Sequence, residues 1–313
     1  MTKEAEDYFD GALVMEGKPQ CGSCHETVEF TDSRLLQYFG GEVLTCPECK
    51  SDIDPWMMIR PLFNKGIPIA VFSIIGAKTT FYRKQMDCFV DTTVDMDEMR
   101  VPQEAKILHV DLIMDYQDTI ALLTPGGLNP RKVSIYTAPR NMPTEGISLS
   151  RSVLIVVTWV EPRKNDFAYM NLLQSLDLFR LERYSETIIP ANVAVELVMK
   201  KVVKAVLSEY GNTDAVGNML KGTNNLVHHA SMFKVLLPIA ANLIGFPLLR
   251  PEFIQLLTSM NANRNEIAHE GKPKAEFDMG LAADFICASF FTLSYLRLME
   301  EHLKQKGGAQ RCN

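Results

Sequence analysis

The chain has 313 residues, of which 47% are hydrophobic and 22% charged, and its formal net charge is −6. This length allows about two folded domains, and the composition is ordinary for a globular protein. Residues 1–165 carry 17 Lys/Arg against 23 Asp/Glu, whereas residues 166–313 carry 15 of each. An acidic first half argues against a protein that holds nucleic acid by a general positive field.

The N-terminus has no apolar segment of the kind that a secretory signal requires. The apolar stretch 233–249 is interrupted by Pro238, Asn242 and Pro247, and it is too short and broken to span a bilayer. We therefore expect a cytoplasmic protein without a membrane partner.

Two CxxC pairs occur near the N-terminus, "CGSC" and "CPEC". Their cysteines are Cys21, Cys24, Cys46 and Cys49. Each pair can form a tight turn, and the gap of 21 residues between the pairs suits a hairpin or short helix. We predict a zinc ribbon over residues 1–60 that holds structural Zn²⁺, because four protein ligands leave no open position for a substrate. His25 is an alternative ligand, and a redox dithiol is the less favoured interpretation.

Residues 61–165 contain six β-branched runs with an apolar period of two, separated by turn signals. They are "IPIAVFSII", "DCFVDTTV", "ILHVDLIM", "TIALLTP", "VSIYTA" and "SVLIVVTWV". This pattern predicts a β-rich sandwich or barrel with a recognition or regulatory role. The sequence does not specify its ligand.

Residues 166–313 have a helical period, which predicts an all-α bundle. The predicted helices cover 167–188, Pro190 to Gly211, part of 224–245 with a kink or end at Pro238, Pro251 to Gly271, and about 277–305. The fold class is therefore α+β and multidomain: a ribbon, a β-rich domain and a helical bundle.

The stretch "RNEIAHEG" lies at the end of the fourth predicted helix. Asn265 and His269 are four residues apart and share a helix face, so we expect the amide to orient the imidazole or to hold RNA. Arg264 and His269 are about 140° apart. A guanidinium suits a phosphate, and an imidazole can carry a proton. A guanidinium and an imidazole are the two groups that metal-independent RNA transesterification requires. The alternative interpretation is a polar helix end, because basic residues commonly favour the negative end of the helix dipole.

Arg264, Asn265 and His269 on a late helix resemble the signature of the HEPN superfamily: an arginine, often followed by a polar residue, and a histidine four to six residues later. The segment 178–203 is similar to the family's opening helical pair, and Glu196 fits a glutamate position there. The resemblance covers about residues 167–305.

The resemblance implies an endoribonuclease that acts without metal and leaves 2′,3′-cyclic phosphate and 5′-OH ends. It implies a homodimer formed through the helical domain, in which Arg264 and His269 of both chains line one RNA cleft. Such domains often serve as toxins in bacterial antiphage (abortive infection) defence, joined to a sensing domain with an activating ligand or protein. Lys272 and Lys274 are candidate RNA-binding residues, since they directly follow the motif.

A second hypothesis is a non-catalytic adaptor that dimerises and binds protein or nucleic acid. A zinc-ribbon transcription regulator is less favoured because the first half of the chain is acidic.

Overall fold

In a computed structural model of the chain, the described residues are 13–16, 20–26, 28, 30–63, 78–114, 119–125, 131–139, 150–161, 166–221, 232–270 and 277–310. The strands are β1 Leu13–Glu16, β2 Leu44–Thr45, β3 Asp52–Ile53, β4 Lys78–Asp87, β5 Asp91–Asp95, β6 Lys106–Met114, β7 Thr119–Pro125, β8 Lys132–Pro139 and β9 Ser150–Val160. The helices are α1 Asp32–Phe39, α2 Pro55–Phe63, α3 Phe167–Arg180, α4 Tyr184–Tyr210, α5 Thr213–Lys221, α6 Leu237–Leu243, α7 Pro251–Glu270 and α8 Met279–Gln310, with a π-helical turn at Met232–Leu236 before α6.

The chain divides into two compact units. It contains both helices and strands, so the fold is mixed α and β. The β unit contains β1 and β4 to β9, and the helical unit contains β2, β3 and all the helices. The sequence suggests a separate ribbon, whereas in the structure the cysteine segment (residues 20–63) belongs to the helical unit. The predicted boundaries near residues 60 and 165 stay predictions.

The β unit consists of two antiparallel sheets, with strand orders β1-β4-β9-β6 and β5-β8-β7. Val153, Ile155 and Val157 of β9 are fully buried, as expected for an apolar period of two. They share one core cluster with Val133 and Ile135 of β8, so both sheets contribute to a single core.

Strand β4, which pairs with β9 along its whole length, is absent from the six predicted strands. Its sequence, "KTTFYRKQMD", contains four charged residues and lacks a clear apolar alternation. The predicted strand "IPIAVFSII" lies outside the described residues. The predicted strand "DCFVDTTV" is shorter in the structure, where β5 begins at Asp91 after a turn.

Helix α8 forms the centre of the helical unit, and it packs against α4, α7 and α3 as well as α1 and α2. Its side chains at Phe285, Phe291 and Tyr295 are fully buried. Among the described residues, this is one helix long and apolar enough to cross a membrane, but 72% of its apolar window is buried. Such burial is typical of the core helix of a soluble protein.

Two of the predicted helix boundaries are wrong. The helix predicted over 167–188 breaks after α3, where Glu182 adopts a left-handed φ of 59°. Helix α4 then begins at Tyr184, so Pro190 lies inside it instead of opening it. Proline at this depth removes one hydrogen bond within the helix. The burial of Ile188, Pro190 and Ala191 offsets that loss, and such packing is not visible in local sequence signals.

Candidate functional site

The four cysteine sulfurs of the N-terminal segment lie within 4.8 Å of one another. Cys21 Sγ is 3.7 Å from Cys49 Sγ, and Cys24 Sγ is 3.7 Å from Cys46 Sγ. A tetrahedral zinc with Zn–S bonds of about 2.3 Å requires S···S separations of roughly 3.8 Å. These four residues can therefore hold a metal ion, and their geometry is compatible with structural zinc.

The two CxxC turns have the same backbone geometry, although their sequences differ. The first cysteine N–H donates to the carbonyl five residues later, from Cys21 to Glu26 and from Cys46 to Ser51, each at 2.8 Å. His25 and Lys50 occupy the equivalent left-handed position, with φ near 61° and 62°. His25 is exposed and does not belong to the cluster of potential ligands, which consists of the four cysteines.

Ser51 places its hydroxyl beside two of the sulfurs, 3.5 Å from Cys21 Sγ and 3.0 Å from Cys49 Sγ. Hydrogen bonding to Ser51 lowers the pKa of Cys21 to about 5 and also lowers the pKa of Cys49. At Cys24, the Glu26 backbone lowers the pKa, but burial and the neighbouring thiols outweigh it and raise the pKa to about 12. Thiolates this close repel one another, and a bound cation would offset that repulsion.

The cysteine segment is attached to the helical bundle by aromatic packing and ion pairs. Tyr38 of α1 lies 5.9 Å from Phe291 of α8, and Trp56 of α2 lies 5.6 Å from Phe253 of α7, measured between ring centroids. Arg60 of α2 also forms an ion pair with Asp284 and donates to the Gly280 carbonyl of α8. The cysteine segment is thus part of the packing of α7 and α8.

Helix α7 carries the predicted catalytic residues in its last two turns, and it covers the predicted span from Pro251 to the residue before Gly271. Arg264 and Asn265 are half-buried, and Arg264 Nη1 donates to Asn265 Oδ1 at 3.0 Å. His269 is exposed in the last turn. The structure brings the guanidinium and the amide together and leaves the imidazole accessible one turn further along.

Asn261 is a further polar residue on α7 that the sequence motif does not include. It lies three residues before Arg264, it is 7% exposed, and its Oδ1 has no hydrogen-bond partner among the described residues. Residues three apart on a helix are neighbours. The repeated asparagines of "NANRN" are the sequence signal for a further amide in the turn before Arg264.

Glu196, Lys272 and Lys274 are the residues predicted to bind RNA or to support the motif. Glu196 lies on α4, which packs against α7, and its carboxylate is 2.5 Å from Lys200 Nζ. Lys272 and Lys274 lie outside the described residues, so their predicted contact with RNA stays a prediction.

Comparisons with models of protein families, with curated proteins and with solved structures found no significant match to this chain.

Proposed function

We propose that the chain is a metal-independent endoribonuclease of the HEPN type, active as a homodimer and serving as a toxin in bacterial antiphage defence. The main support is the arrangement on α7, where Arg264 is held by Asn265 while His269 remains exposed. Because the two side chains are about 140° apart on one helix, the proposed site pairs Arg264 of one protomer with the partner's His269 at one phosphate, for charge stabilisation and proton transfer.

In the proposed reaction, the 2′-OH of a nucleotide loses its proton and attacks the adjacent phosphorus. A P–O2′ bond forms, the P–O5′ bond breaks, and the leaving O5′ takes up a proton. The products are a 2′,3′-cyclic phosphate and a 5′-OH. Arg264 stabilises the charge that develops on the phosphoryl oxygens, His269 transfers the protons, and Asn265 orients the guanidinium.

We propose a structural role for Zn²⁺ at the four cysteines. When bound, the metal neutralises the thiolates and stabilises the two turns. The cysteine segment packs on α7 and α8, which supports a role in stabilising the proposed nuclease helix.

The decisive test is the cleavage of mixed cellular RNA by the purified full chain in a buffer without added metal, followed by end-group analysis. We expect cyclic phosphate ends with the native chain and none with His269→Ala or Arg264→Ala. Glu270→Ala is the matched control, because Glu270 is an exposed neighbour in the same turn. We expect it to cleave normally.

Expression in bacterial cells extends this test to conditions in which an activating ligand is present. Toxicity of the native chain that His269→Ala removes would support the nuclease. Equal effects of the native chain and both alanine variants, with no RNA cleavage, would instead support the non-catalytic adaptor.

A further inference from the structure

A cleft of about 380 Å³ lies in the helical unit between the cysteine segment and the start of α7. Its walls include the aromatic side chains of Tyr38, Trp56 and Phe253 and the charged side chains of Asp54, Arg250 and Glu252. Among the lining residues Ser259 is nearest to the motif in sequence, and about 7.5 Å of helix separates it from Arg264 and about 15 Å from His269. The proposed catalytic residues do not line the cleft.

The aromatic wall leaves one ring available for a ligand. Tyr38 and Phe253 are only 3% and 2% exposed, because they pack against Phe291 and each other. Trp56 is half-buried and lies 5.6 Å from Phe253 in an edge-to-face arrangement that fixes the indole. A held, partly exposed indole is a stacking surface for a flat ligand.

The charged groups limit the chemistry of that ligand. Arg250 Cζ lies 4.5 Å from the centroid of Tyr38, and its Nη2 is 2.9 Å from Glu252 Oε1. The protein's own guanidinium thus occupies the position that a ligand cation would take on Tyr38. Asp54 and Glu252 outnumber Arg250, so the cleft has a net negative charge that disfavours a free phosphate.

We propose that this cleft binds one uncharged nucleobase, stacked on Trp56. A base has a planar π-face for the indole, N–H donors for the two carboxylates and acceptors for Arg250. The volume is near the lower end of the usual range for ligand pockets, about 300–1,000 Å³, which suits a single nucleoside. The base comes either from a free nucleoside or from a single strand.

The fluorescence of Trp56 provides a direct measurement of ligand binding. The chain has two tryptophans, and the other, Trp159, belongs to the β unit and can be replaced. In a Trp159→Phe background, titration with adenosine or guanosine should quench the remaining fluorescence to saturation. Trp159 Nε1 donates to Thr80 Oγ1, so this background variant loses a buried hydrogen bond. Calorimetric titration of the unmodified chain gives the same information without that substitution.

Two variants of α7 form a matched pair. Ser259 and Ala262 are both exposed, but only Ser259 lines the cleft. Ser259→Tyr should fill the cleft and weaken nucleoside binding by about tenfold or more, the order of one lost base stack. Ala262→Tyr adds the same side chain outside the cleft, and we expect unchanged binding.

A short single-stranded oligodeoxyadenylate identifies the source of the base. It lacks the 2′-OH that the proposed cleavage needs, so its binding is independent of nuclease activity. Tighter binding than adenosine indicates a strand, and binding of adenosine alone indicates a free nucleoside. Failure of both ligands to bind saturably, equal weakening by the two tyrosine variants, or binding of inorganic phosphate in place of adenosine would overturn the proposal.

Discussion

Arg264 and His269 have different surroundings, although both lie near the end of α7. The half-buried Arg264 side chain is oriented by its hydrogen bond to Asn265, whereas His269 is exposed. An oriented guanidinium presents fixed donors to a phosphate. An exposed imidazole retains the rotamer freedom to approach a reacting oxygen. This difference matches the roles we propose, charge stabilisation by Arg264 and proton transfer by His269.

Arg264→Lys tests whether orientation matters beyond charge. Lysine keeps the positive charge but loses the planar fork and its link to Asn265. We expect RNA cleavage to fall by about 10²-fold, comparable to the loss of one transition-state donor. Initial rates of cleavage and a melting curve together separate this effect from unfolding.

Arg183→Lys is the matched control for that substitution. Arg183 is exposed at the start of α4, and its Nε is 2.7 Å from Glu186 Oε1. We expect it to leave the cleavage rate unchanged. If Arg264→Lys is equally active, a point charge is sufficient and the bond to Asn265 has no catalytic role.

The elements that could be predicted from the sequence are those with local causes. The CxxC spacing determines the two cysteine turns, and Pro251 with the later Gly271 marks the limits of α7. Strand β4 could not be predicted, because its pairing with β9 outweighs its many charged residues. Pro190 misled the prediction because buried packing of α4 outweighs a local helix-start signal.

Glu98 connects β4 to the turn after β5 and makes the β unit sensitive to acid. Lys84 Nζ lies 2.7 Å from Glu98 Oε2, and this hydrogen bond is the main cause that lowers the pKa of Glu98. A carboxyl with a lowered folded-state pKa stabilises the fold above its unfolded pKa. That contribution is lost as the pH falls through the folded pKa, below the ordinary value of 4.5.

Glu98→Gln should therefore reduce the free energy of unfolding at neutral pH by about 0.2–1 kcal/mol, the range for exposed ion pairs. The difference from the native chain should shrink as the pH falls below 4.5. Urea unfolding followed by Trp159 fluorescence in a Trp56→Phe background measures this in the β unit. Glu104→Gln, at an exposed position, should show no such pH dependence; a difference that persists at low pH would argue against the ion pair.

The assembly of the whole molecule could not be predicted from local patterns. Periodicity indicates which face of a helix is buried, but it does not identify the partner. Tyr38 and Phe253, which form the wall of the cleft, are more than two hundred residues apart in the sequence. The grouping of the cysteine segment with the C-terminal helices depends on the same long-range contacts.

Each unit contains its own tryptophan, Trp56 in the helical unit and Trp159 in the β unit. Trp159 is 3% exposed within the β-unit core, and Trp56 packs on Phe253 and Phe291. Single-tryptophan variants therefore follow the unfolding of each unit separately. This makes the contribution of the metal measurable in each unit.

Removal of the metal with a chelator should lower the melting temperature reported by Trp56 and leave that reported by Trp159 unchanged. Loss of the bound metal releases the thiolate cluster and loosens α1 and α2, whose aromatic side chains pack on α7 and α8. A loss of about 3–5 kcal/mol in the free energy of unfolding corresponds to a decrease of roughly 10 °C in melting temperature for a unit of this size.

Cys46→Ser should lower the melting temperature by the same amount without chelator. Added zinc should restore the chelator-treated native chain but not the variant. Equal shifts at both tryptophans would mean that the metal stabilises both units, and no shift at Trp56 would mean that the packing of α1 and α2 does not require it.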